Sequence, residues 1–161
     1  MTTRHFQKSF SAFALSISFT CSFTAFAENL STPIDTATAI ENSQKSQNGC
    51  VYALVEMDVR GSASVKGRDF LNSIEDYRDP RSLNVRVEKN VVKAVKSETG
   101  LSPKDHFLGS CILVKGNVCQ TKIRVRDTEI NGKMIKRGYY FQTQLSLRST
   151  KNIQFCELST S

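Results

Sequence analysis

Four cysteines, Cys50, Cys111, Cys119 and Cys156, are spread through the chain from residue 50 onward, and they constrain the fold more than any other feature. A fifth, Cys21, lies in a stretch of a different kind. Arg4 and Lys8 precede an uncharged run from Phe10 to Ala27 that closes on Ala25-Phe26-Ala27. A basic start, an apolar centre and an A-x-A exit mark a Sec-type signal peptide, so residues 1–27 are expected to be removed before Glu28. The run is too rich in Ser and Thr for a retained span, which needs about 20 strongly apolar residues. The mature chain is therefore expected to be exported, periplasmic or secreted, with no transmembrane segment and without Cys21.

Four thiols in an exported chain of this size imply two disulfides with three possible connectivities. The expected pairing is Cys50 with Cys156 and Cys111 with Cys119. A four-cysteine zinc site is the alternative, but no C-x-x-C pair occurs. No metal and no cofactor is expected.

Residues 28–48, "ENLSTPIDTATAIENSQKSQN", are polar and only sparsely apolar. Such a segment buries too little surface to offset its ordering entropy, so a flexible leader is expected; an arm that donates a strand or binds a partner is the alternative. Residues 49–161 then make one small domain, of a size at which cross-links matter to stability.

Within that domain, "CVYALVEMDVRG" alternates with a period of two and predicts a half-buried strand closed by Gly61. Phe70, Leu71, Ile74 and Tyr77 are spaced as on a short helix that Pro80 stops. The segment Leu83–Val95 carries apolar residues at intervals of four, yet these are nearly all valine, and β-branching favours two short strands. A hairpin is expected through Lys115-Gly116-Asn117, and "IQFCEL" reads as a last strand. The sum is an α+β, mostly antiparallel β domain, stapled by disulfides, with one short helix.

Asn131-Gly132 is the strongest turn signal in the chain, a two-residue hairpin turn. Strict pairing about it would set Arg124 against Tyr139 and Ile123 against Tyr140, mixing apolar and polar residues on each face. An extra residue at Arg137-Gly138, a bulge, would restore the separation, setting Val125 against Tyr139 and Cys119 against Leu145. That register predicts an outer face bearing Lys122, Arg124, Arg126 and Arg137 beside Tyr140, Gln142, Gln144 and Arg148.

Charge adds weight to this face. The net charge is +7, and from Phe107 onward nine Lys/Arg stand against three Asp/Glu, whereas Glu28 to His106 is nearly balanced. Such a surface draws anionic partners, an anionic glycan, a glycolipid or an acidic protein surface. Nucleic acid is disfavoured because the chain is exported and no base-reading motif appears. A binding or interaction protein, and not an enzyme, is the leading expectation, with Lys122, Arg124, Arg126, Arg137, Tyr140 and Arg148 as its site.

Chemistry-bearing motifs are sparse. His106, the one histidine beyond the leader, lies five residues before Cys111 and could suggest a Cys–His pair, but Cys111 is expected to be bridged. A small secreted hydrolase or nuclease would need His106 with Glu129 or Glu157 and Arg124, and no spacing selects them. An inhibitor of an extracellular hydrolase would present a loop, with Ser97 to Asp105 the candidate. The chain has no tryptophan, which weakens the case for stacking-type sugar recognition.

Overall fold

The computed structural model describes residues 32–124, 129–130, 133–134 and 138–157. The expected signal peptide, Arg126 and Arg137 lie outside them. The alternating segment forms strand β1 (Cys50–Asp58), followed by β2 (Gly61–Val65), β3 (Arg68–Asn72) and β4 (Leu83–Val87). Helices α2 (Lys89–Thr99) and α3 (Pro103–His106) lead into the long strand β5 (Cys111–Arg124). The two-residue strands β6 (Glu129–Ile130) and β7 (Lys133–Met134) pair with each other, and β8 (Tyr139–Leu147) and β9 (Ile153–Phe155) complete the chain. Seven of these strands form one sheet in the order β1-β5-β8-β4-β3-β2, with β9 paired to β5; β4 and β8 run parallel, and the other pairs are antiparallel. The domain is thus α+β and mostly antiparallel, with two disulfides.

One row of residues explains how the sheet coheres. Leu71, Val85, Leu145, Val118 and Val51 are register partners across five strands. All but the half-buried Val51 are fully buried. They belong to a single apolar cluster with Ala39, Ile40, Val91, Val95 and Phe107, which come from the helical layer and the residue after it. Each such aliphatic side chain contributes about 1.5–3 kcal/mol relative to exposure.

Several expectations are corrected. Residues 28–48 do not form a flexible leader throughout, because α1 (Thr36–Lys45) lies within them. Asp35 caps this helix, its Oδ1 accepting from the Thr38 amide at 2.7 Å, and Ala39, Ile40 and Ser43 are buried. Ile34 bridges to Val55, its amide donating to the Leu54 carbonyl and its carbonyl accepting from Glu56. No helix spans Phe70 to Tyr77: Phe70 and Leu71 lie in β3, where cross-strand partners on both sides override the helical spacing. Leu83–Val95 is neither two strands nor one helix. It is a strand through Val87 and a helix from Lys89, with Glu88 at the junction.

The hairpin expected at Lys115-Gly116-Asn117 is absent, since these residues lie mid-strand in β5. Gly116 sits close against the core there: a Cβ would stand 3.1 Å from Leu145 Cδ2, so a larger residue needs that side chain to shift. The disulfide pairing differs from expectation as well. Cys111 and Cys119 are eight steps apart on one extended strand, about 26 Å, and so do not meet. The bridges are Cys50–Cys119, which joins register partners of β1 and β5, and Cys111–Cys156, which ties the start of β5 to the end of β9. Two bridges suit an oxidising, extracytoplasmic environment. No described helix is long and apolar enough to cross a membrane.

Candidate ligand-binding face

The strict hairpin register holds. Ile130 pairs with Lys133, and Arg124, not Val125, with Tyr139, as strict pairing requires; Arg137, where the bulge was expected, lies outside the described residues. Lys122 faces Phe141, Ile123 faces Tyr140, and Cys119 faces Gln144. The expected site is therefore split. Lys122 and Arg124 share the face of Val118 and Leu145, beyond the reach of the helices, where Lys122 Nζ lies 3.7 Å from the centre of the exposed Tyr139 ring. Tyr140, Gln142, Gln144 and Arg148 occupy the opposite, outer face. The two halves do not combine into one surface.

The outer face has its own order. The row next to the core row runs Asn72, Asn84, Gln144, Cys119 and Cys50 across five strands in register. Three adjacent amides thus end on the Cys50–Cys119 bridge. Asn72 and Asn84 are 4% and 1% exposed, which makes their hydrogen bonding consequential. Asn84 Nδ2 donates to the carbonyls of Ser82, Tyr77 and Thr143 at 3.2–3.4 Å, and Gln142 Nε2 donates to the Tyr77 carbonyl at 2.6 Å. These bonds hold the 73–82 loop against the edge of the face. Gln144 Nε2 donates to Gln142 Oε1 at 2.6 Å.

Loop and amides together build a pocket of about 380 Å³. Asn72, Asn84, Gln142 and Gln144 line it with Phe70, Tyr77, Ile123, Tyr140 and the tips of Ala63 and Val65. Burial pushes the Tyr140 phenol up, and neighbouring Tyr77 acts in the same direction, so the group stays a neutral hydroxyl through physiological pH.

Beside it, and sharing Gln144, runs a second depression of about 410 Å³ lined by Tyr52, Arg86, Lys115, Asn117, Ser146 and Arg148 among others, none of them acidic. Arg86 is pinned by Glu88, whose two oxygens accept from Arg86 Nη2 at 2.8 Å and Arg68 Nε at 2.7 Å. Arg86 Nε is buried and has no hydrogen-bond partner among the described residues. Lys115 and Arg148 are exposed. Of the residues expected from sequence, only Arg148 belongs to this groove. Arg86 and Lys115 were missed because nothing in the linear order sets them beside it.

The Arg68 hydrogen bond, followed by the charge of Arg86, holds the Glu88 carboxyl below its ordinary value of about 4.5. A depressed folded value means that the stabilisation is complete above the unfolded value and fades as pH falls through the folded one. Glu88→Gln is expected to cost about 2 kcal/mol near pH 7. Urea midpoints of variant and native chain should converge as the medium is acidified below that ordinary value. A constant gap down to the acid limit would show that Glu88 acts by packing alone.

The residues named for the alternative chemistries are placed as follows. Cys111 is bridged and offers no thiolate. His106 packs edge-on to Phe107 and Phe155 at 4.7 and 5.2 Å, near the β9 end of the sheet. Phe155 is paired with Ile112, twelve steps along β5 from Arg124, roughly 40 Å away. The segment Ser97 to Asp105 is no free loop. It comprises the end of α2 and most of α3, and the Lys104 amide is fixed to Asp69 Oδ2 at 3.1 Å. The carboxylate of Glu56 lies near Cys111 and Cys156, but both sulfurs are consumed by their bridge.

No protein-family model matches the chain, and no curated protein matches it. Among solved structures the chain is similar to one assigned as an aspartyl-tRNA synthetase from Leishmania major Friedlin, at 14% identity and a TM-score of 0.42. That alignment covers 83% of this chain and 22% of the other, so the chain spans about a fifth of the synthetase's length.

Proposed function

We propose that the chain is an exported, non-enzymatic binding protein that docks an anionic glycan or glycolipid on its outer sheet face. The single observation that carries this reading is the convergence of Arg86, Lys115 and Arg148 on one groove without a carboxylate in its lining. The Arg86 side chain is 35% exposed, and its guanidinium supports the reading by offering N–H donors to a phosphate, sulfate or carboxylate oxygen. Pinning by Glu88 sets the Arg86 guanidinium in advance, which lowers the ordering cost of binding. The leader pattern at residues 1–27 and the two disulfides support export to the periplasm or beyond. Lys122 and Arg124, on the other face, add to the long-range field and to the encounter rate, and contribute no contact to the groove.

The test is charge reversal, Lys115→Glu with Arg148→Glu, both at exposed positions. Binding to immobilised phosphate-, sulfate- and uronate-bearing glycans is expected to fall at least about tenfold, and native binding should weaken steeply with salt. The pair Lys122→Glu with Arg124→Glu should mainly slow association. Equal retention of the groove variant and the native chain sinks the reading.

A further inference from the structure

The basic groove does not end at its own rim. On the outer face Phe70 is the register partner of Arg86, Asn84 of Gln144, and Gln142 of Thr121. In each pair the first residue lines the neighbouring pocket and the second lines the groove, and Gln144 lines both. Paired residues on adjacent strands stand about 5 Å apart, so the two depressions adjoin along one seam. Their chemistry differs. The groove carries Arg86, Lys115 and Arg148, whereas the accessible lining of the pocket is mostly apolar. Phe70, Ile123 and Tyr140 wall it, and Val65 and Tyr77 stand at its rim, 51% and 42% exposed. The amides beneath are occupied: Gln142 Nε2 donates to the Tyr77 carbonyl and Gln144 Nε2 to Gln142 Oε1, while Asn72 and Asn84 are almost wholly covered.

An apolar pocket continuous with a cationic groove fits a ligand divided in the same way. We propose that the two together take an anionic lipid: its oxyanion headgroup lies against Arg86, Lys115 and Arg148, and one acyl chain enters the pocket. This rests on the groove reading above and narrows it, because of a glycan and a glycolipid only the second has a chain to fill the pocket. A volume of about 380 Å³ lies at the small end for ligand sites and holds one chain segment. Each methylene buried there leaves water, and so does the exposed surface of Val65 and Tyr77. A peptide strand fits less well, since its backbone needs free donors and acceptors and the amides of this face are already committed. A neutral apolar molecule leaves the three cations of the groove unmatched.

The probes are ethyl, butyl, octyl and decyl phosphate, each below its micelle concentration, titrated calorimetrically into the purified chain, with octyl glucoside as the neutral control. Affinity is expected to rise with chain length, by at least about tenfold from butyl to octyl phosphate. Two variants act on the pocket by different means. Ala63→Trp, at an exposed position, fills the mouth, and Ile123→Ser makes a half-buried wall polar. Each should lower octyl phosphate affinity about fivefold or more and leave butyl phosphate within about twofold, with thermal melting confirming the fold. The double reversal at Lys115 and Arg148 should weaken every alkyl phosphate by about tenfold or more and preserve the dependence on chain length. Equal affinity for butyl and octyl phosphate overturns the lipid assignment and leaves the groove reading standing. A chain-length dependence intact in both pocket variants overturns it by placing the chain elsewhere, and so does octyl glucoside bound as tightly as octyl phosphate. If no alkyl phosphate binds at any length, the lipid assignment and the groove reading fall together.

Discussion

Replacing Cys111 and Cys156 with serine should destabilise the domain by about 4 kcal/mol, the chain-entropy value for so long a closure. The bridge spans 45 residues, and it fastens β9 to β5 where only three register pairs otherwise join them. The Cys50–Cys119 bridge spans 69 residues and contributes a similar amount, because loop-closure entropy grows slowly with length. Set against a usual domain stability of about 5–15 kcal/mol, losing both approaches unfolding. Urea titration with and without reductant measures the effect. The β9 end, including the His106–Phe107–Phe155 cluster, should loosen first when Cys111–Cys156 alone is removed. Midpoints unchanged by reduction would mean that the bridges are incidental to this fold.

The second large effect concerns the helix in the segment that composition marks as a leader. Ile40 is 6% exposed and belongs to the main apolar cluster. Ile40→Ala is expected to cost about 2–5 kcal/mol, as large-to-small changes in cores do. In a solvated leader the same change would fall within about 0.5 kcal/mol of neutral. Asp35→Ala, which removes the cap to the Thr38 amide, should add a smaller loss of about 1 kcal/mol. Denaturant midpoints of the two variants decide between a docked helix and a free arm.

These cases show what the sequence makes legible. Strand β1 is plain because one face is buried along most of its length, so the period of two persists. The Asn131-Gly132 turn signal is legible because its chemistry is local; those two residues lie outside the described ones, and Ile130 before them pairs with Lys133 after them. Helix α1 was hidden by its sparse apolar stripe, although Asp35-Thr36-Ala37-Thr38 carries a capping signal that composition averages away. The β5–β8 register failed for a deeper reason. Where α1 covers the sheet, Val118 and Leu145 point into the core. Past Gln120 and Thr143, whose side chains hydrogen-bond at 2.7 Å, cover by the helix ends. From there the same face meets solvent and carries Lys122, Arg124, Tyr139 and Phe141, while Ile123 and Tyr140 turn into the pocket of the other face. Polarity inverts along unbroken strands, and on paper that inversion looks like a bulge.

The site was legible only in part for the same reason. Tyr140, Gln142 and Gln144 share a face because they alternate on one strand, and Arg148, one residue past its end, continues the alternation. Asn72, Asn84, Arg86 and Lys115 reach that face from three other strands, and only the parallel pairing of β4 with β8 brings the first three there. No local pattern encodes a parallel pairing between strands so distant in sequence.

The most direct measurement is a nuclear magnetic resonance footprint of a sulfated or phosphorylated oligosaccharide titrated into the isotope-labelled chain. Our account predicts saturable shifts at Arg86, Lys115, Ser146 and Arg148, with Lys122 and Arg124 unmoved at low salt-corrected occupancy. Shifts confined to the Lys122–Arg124 face, or scattered over every surface cation, would contradict the assignment of the groove.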